Sequence, residues 1–175
     1  KAMEIKTIGD FYDVLGPDNV KFIITRDCPA GVWRSYLGPQ NRGTPADRVL
    51  TDDLGIITVM NNSVTLHLTG DALGIDGVSA INLCRGTNLV GVPLRDERLK
   101  CVSDLWNLEG FVDKVAWVIV SDNGVFKVVL RPDDPAGNIP ITGGQSFIIT
   151  AREAGVAEIR GEAWDNVPDG IAAAP

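Results

Sequence analysis

A single histidine, His67, stands among 175 residues. Its isolation removes multi-histidine metal centres, and no Ser/His/Asp or Cys/His relay comes with a recognisable local motif. Concentrated positive charge is missing too. The chain sets 16 Lys and Arg against 23 Asp and Glu, a formal net charge of −7, so nucleic acid and anionic membrane surfaces are poor partners. The longest uninterrupted apolar candidate, Val115 to Val120, is strand-length, far from the ~20 residues that carry a helix through a bilayer. No membrane insertion is expected. The opening residues Lys1-Ala2-Met3-Glu4 hold no apolar signal region, which places any secretion signal outside the sequence or among segments already removed. The 19 glycines form neither GxxxxGK[S/T] nor GxGxxG, and Gly143-Gly144 precede a strand-like run rather than a helix, so nucleotide binding is unsupported.

Three cysteines show no CxxC spacing. Cys84 and Cys101 flank a strand-like run, Asn88 to Leu94, and form the candidate disulfide. Closing that loop would stabilise the fold by roughly 3 kcal/mol on a chain-entropy model. Three reduced thiols are the alternative, because an odd count is no disulfide framework.

What the chain does contain is globular composition, with 45% hydrophobic and 22% charged residues, and internal repetition. Ile8-Gly9-Asp10-Phe11-Tyr12 matches Val102-Ser103-Asp104-Leu105-Trp106, each leading to a glycine, Gly16 and Gly110. Both read as a short capped helix and its stop. Val20-Lys21-Phe22-Ile23-Ile24 lies over Val115-Ala116-Trp117-Val118-Ile119, and Val32 to Leu37 over Val125 to Leu130. The turn Ser121-Asp122-Asn123-Gly124 is a hairpin signal, since Asn-Gly readily takes positive φ; the first copy has a longer turn there, containing Cys28. Gly55 to Val59 matches Ser146 to Thr150, and Leu68 to Leu73 matches Ile159 to Trp164. Each unit reads as one short helix and four strands. Asn88 to Leu94 is a further strand with no counterpart in the first copy, where Lys1 to Thr7 overlays Arg95 to Cys101; the missing strand is expected upstream of Lys1 or from elsewhere.

These features predict a mainly β (α+β) fold of two diverged copies of a small module with one short helix and four to five strands each. Residues 1–78 form the first copy and 79–166 the second. Residues 167–175, rich in Pro, Gly and Ala, form a linker or disordered tail.

Asn88-Leu89-Val90-Gly91-Val92-Pro93-Leu94, then Ser103-Asp104-Leu105-Trp106, Gly143-Gly144-Gln145-Ser146-Phe147-Ile148-Ile149 and Gly161-Glu162-Ala163-Trp164 resemble a tandem β-rich repeat of large secreted and cell-surface proteins of environmental bacteria and archaea. The resemblance covers mainly residues 81–165. It implies an extracellular, repetitive, non-enzymatic segment and transfers no catalytic residue or ligand.

Candidate sites are correspondingly few. Trp33 and Tyr36 are candidates for stacking on a carbohydrate. The acidic pairs Asp52-Asp53 and Asp133-Asp134, with Asp71 and Asp76, are loop carboxylates of the kind that ligate Ca²⁺, although none has EF-hand spacing. Strand alternation places His67 on a polar face. The expected function is a non-catalytic extracellular structural or assembly module of a surface protein, fibre or layer. Its first copy would be completed by a strand from a neighbouring subunit, at an unpaired sheet edge. A carbohydrate-binding or Ca-dependent adhesion module is the alternative.

Overall fold

The computed structural model describes residues 5–28, 30–66, 77–122 and 124–164. The fold is mainly β. Helix α1 (Ile8–Leu15) precedes β1 (Val20–Asp27), β2 (Val32–Tyr36) and β3 (Ile57–Met60); β4 (Gly77–Leu83), β5 (Gly86–Gly91), β6 (Val115–Asp122), β7 (Val125–Val129), β8 (Ser146–Ala151) and β9 (Gly155–Gly161) follow. Short 3-10 helices occupy Pro39–Asn41, Val102–Asn107 and Pro135–Asn138.

Local chemistry explains the helices. The Thr7 hydroxyl accepts the Asp10 amide at 3.2 Å while the Asp10 carboxylate accepts the Thr7 amide at 3.0 Å, a reciprocal cap. With the Asp10 amide so occupied, the Thr7 carbonyl takes the Phe11 amide at 3.0 Å, which is α geometry. At Cys101 the sulfur is a weaker acceptor, and the Asp104 amide is shared with the Cys101 carbonyl at 3.0 Å. That bond spans three residues, so the expected second helix is a 3-10 helix, Val102–Asn107.

The strands make three antiparallel ladders among the described residues: β2-β1-β3, β5-β8-β6-β7, and β4-β9. The first ladder and the β8-β6-β7 part of the second share one register. Ile23 faces Tyr36 and Thr58, and Val118 faces Val129 and Ile149. The irregularity in β1 falls between Val20 and Phe22, and that in β6 between Val115 and Trp117. Flanking bonds correspond as well: Ile8 N–H to Arg48 and Leu50 N–H to Lys6 match Val102 N–H to Ile139 and Ile141 N–H to Lys100.

Two points differ from the sequence reading. The strand expected over Asn88 to Leu94 runs instead from Gly86 to Gly91, and Pro93, which has no amide to donate, lies beyond it. Strand β4 was not anticipated. The closing strand of the first copy, Leu68 to Leu73, lies outside the described residues, as do His67, Asp71 and Asp76.

Two hydrophobic clusters result. The larger gathers Ile81, Leu83, Val90, Phe111, Phe147 and Ile159 among others between the ladders of the second half. The smaller rests on Ile8, Tyr12, Leu15, Val20, Ile23 and Tyr36, with Phe11, Leu54, Ile56, Met60 and Leu66 only partly buried against it. The register makes Phe147 and Ile56 counterparts, the first fully buried and the second half-buried. Phe147→Ala should therefore cost about 3–5 kcal/mol and Ile56→Ala less than about 2 kcal/mol, read as separate shifts of the urea unfolding midpoint.

Candidate functional site

The most distinctive surface lies beside β3. The Asn61 amide turns back to the Asn19 carbonyl at 2.7 Å, on the β1 side, whereas the Ile56 amide leaves that side and donates to the Ser146 hydroxyl at 3.1 Å. Backbone polar groups alternate sides along a strand. Those of Thr58 and Met60 therefore point, with Ile56, away from β1, and no strand among the described residues pairs with that edge.

A cleft of ≈ 380 Å³ opens there between Phe11, Leu54, Ile56, Val92, Pro93 and Trp164. Trp164 is held in place by its indole N–H, which donates to the Val92 carbonyl at 3.0 Å. Beyond Thr58 a second hollow continues past Leu15, Met60 and Leu66. The lining is mixed, the apolar side chains interleaved with Thr58, Asn61, Asn62, Gln145 and Ser146, and Asp52 is the one carboxylate among the lining residues described. Such a groove offers shape and an unpaired backbone edge rather than an acid/base pair.

The expected ligand residues do not converge. Trp33 is 43% exposed, with the Arg26 guanidinium 5.2 Å from its ring centroid, a cation–π arrangement. Tyr36 is buried in the core, 5.3 Å from the Tyr12 ring, and burial pushes its phenol pKa up. Residues three apart on a strand face opposite ways, so Trp33 and Tyr36 form no common stacking platform. The alternation alone carried that signal.

The acidic pairs act as tethers. Asp53 accepts from the Asn82 amide at 3.2 Å and its side chain at 3.0 Å, and Asp52 accepts from the Ser79 hydroxyl at 3.3 Å. Asp133 pairs with Arg131 at 3.0 Å. Asp134 accepts the Ala136 and Leu130 amides, bonds that hold its pKa below the ordinary value. Among the described residues no three His, Cys, Asp or Glu side chains converge as a metal site.

Cysteine pairing differs from expectation. Cys84 bonds Cys28, with Cα atoms 5.8 Å apart, and Cys101 is free. The reason is the path of the chain: β5 leads away from Cys84, and Cys101 sits at the head of the 3-10 helix bridged to Pro140. The longer β1–β2 turn meanwhile delivers Cys28 to the β4–β5 turn.

Asp96, unmarked by any motif, is 4% exposed. Burial pushes its carboxyl up, but hydrogen bonds from the Arg98 side chain and from the Arg160 and Arg98 amides outweigh this and bring it to about 2. It ties the segment after β5 to β9, away from the groove.

Comparison of the chain with protein-family models, with curated proteins and with solved structures returned no match.

Two outcomes follow from these tethers. Removing the 28–84 crosslink by Cys28→Ala with Cys84→Ala should destabilise the chain by about 2–4 kcal/mol, because a separation of 56 residues closes a long loop; reductant should match it in calorimetry. Asp96 has a folded pKa below its unfolded 3.8, so its stabilisation is present above about pH 4 and is lost as pH falls toward 2. Asp96→Asn should cost about 2 kcal/mol at pH 7 and almost nothing at pH 2, measured by urea unfolding at both pH values.

Proposed function

We propose that the chain is two diverged copies of one small β module, belonging to a secreted or cell-surface structural protein, and that it acts without catalysis by assembling with neighbouring modules through sheet edges. The observation that carries this reading is the edge of β3, which no strand among the described residues pairs, beside a groove. Exposed edges are templates for another strand.

Three further features support it. The common register and matching strand irregularities of β1-β2-β3 and β6-β7-β8 are those expected of a duplication. The Cys28–Cys84 bond suits an oxidising compartment. Both outer strands also expose apolar side chains at corresponding positions, Val32 and Trp33 on β2, Val125 and Phe126 on β7, which in a secreted polymer would be covered by neighbours.

Light scattering of the purified chain across concentration should show mass growing with concentration, in the presence and absence of reductant. A strict monomer at every concentration would overturn self-assembly, and growth lost in the Cys101→Ser variant would assign it to that free thiol instead.

A further inference from the structure

We infer that the groove beside β3 is the receptor for a second β-hairpin of the Gly77–Gly91 type, supplied by another module of the same kind. The inference rests on the two-module reading and names the partner of its open edge.

The second module displays the occupant. There, β4 and β5 form a hairpin whose strands enter different ladders: β4 pairs β9, and β5 pairs β8 from Gly86↔Ala151 to Gly91↔Ser146. The hairpin brings Ile81, Leu83 and Val90 into the core. No counterpart precedes β1 among the described residues.

The two modules differ in burial at matching positions. Phe11, Ile56, Thr58, Met60 and Leu66 are all partly exposed. Their counterparts Leu105, Phe147, Ile149, Ala151 and Ala157 are buried, none more than 3% exposed. The positions that lose burial are those lining the two adjoining hollows beside β3. A hairpin laid there would cover apolar side chains and also meet the outward-facing backbone of Thr58 and Met60.

Recognition has a polar component as well. Asn88 of β5 donates from its amide to the Ile149 carbonyl at 3.2 Å. Ile149 is the counterpart of Thr58, so the donor's asparagine would take the Thr58 carbonyl. The same side chain bonds the Cys84 amide and the Cys84 and Gly86 carbonyls, so such a hairpin brings its turn geometry with it. The chain's own hairpin cannot serve, being engaged by β8 and β9 and crosslinked to Cys28. The donor is therefore a hairpin other than Gly77–Gly91. Strand addition of this kind takes its affinity from main-chain bonds and its specificity from alternate side chains.

The test uses the full chain and a synthetic peptide of residues 77–91 carrying Cys84→Ser, followed by residue-resolved amide exchange. Without peptide, the Thr58 and Met60 amides should exchange faster than those of Ile57 and Val59. With it, Thr58 and Met60 should slow by at least about tenfold, with Ser146–Ala151 unchanged. Thr58→Pro removes an outward N–H, a substitution that edge strands tolerate; it should abolish the slowing while β1 and β2 keep their protection. Asn88→Ala in the peptide should weaken binding by about tenfold. Protection of Thr58 and Met60 before peptide is added, no slowing, or slowing confined to Ser146–Ala151 would each overturn the inference. Concentration-dependent growth without peptide binding would sink the hairpin receptor and leave self-assembly standing. Peptide binding by a strict monomer would do the reverse.

Discussion

The β4–β5 hairpin is the constraint on which the rest depends, because its two strands commit to two different ladders. β4 runs its whole length against β9, and β5 against β8. A turn of two residues, Cys84 and Arg85, joins them, so β8 and β9 are held in a fixed relation whatever their own connection does. Asn88, only 1% exposed, bonds the turn on one side and β8 on the other. A buried amide satisfied this fully fixes geometry, whereas one left partly unpaired would cost more than an apolar residue in its place. The apolar side chains between the ladders, Ile81, Leu83, Phe147 and Ile159 among them, pack because that frame is set.

The first half of the chain is attached to the same hairpin. Gly55 N–H donates to Leu89 at 3.3 Å and Gly91 N–H to Asp53 at 3.0 Å, both on the edge of β5 that β8 does not use. A Cβ at Gly55 would sit 2.5 Å from the Val90 nitrogen, so only glycine permits this approach. The Arg26 side chain donates to the Thr87 carbonyl, and the Cys28–Cys84 bond closes the junction. All four contacts come from the end of β1, the turn after it and the lead into β3. They leave the far edge of β3 uninvolved, which is why the open edge and its groove persist in a chain that is otherwise well tied together.

What was legible in the sequence was local. The aligned runs in β1, β6, β3 and β8 could be read because strand alternation and turn residues act over a few positions; Asp10 was legible as a capping residue, although the N-cap is Thr7 and Asp10 the third helical residue. Pairing decisions over long separations were not legible. Nothing local to Cys28 marks it as the partner of Cys84, since the pairing depends on where the β1–β2 turn lies relative to a hairpin some fifty residues on. Strand β4 escaped for a related reason: Gly77-Val78-Ser79-Ala80 is weak β sequence made into a strand by β9. The exception is Tyr36, whose burial opposite Trp33 follows from a spacing of three on one strand and was available from the start.

The outer strands bear on what this surface is for. A protein that functions alone commonly blunts its sheet edges with lysine, proline or a bulge. Strand β7 has one lysine, Lys127, tied to Asp122, and no proline, while Val125, Phe126 and Val128 are each more than 45% exposed. Strand β2 repeats the arrangement, with Arg34 tied to Asp27 and Val32 and Trp33 exposed. Each edge thus spends its cation on its own hairpin partner. A lone unguarded edge could be accidental, but the proposed duplication would have preserved the same pattern twice while much else diverged. With the net charge of −7 opposing indiscriminate collapse, the balance fits a chain whose edges are covered in an ordered assembly rather than exposed in a free monomer.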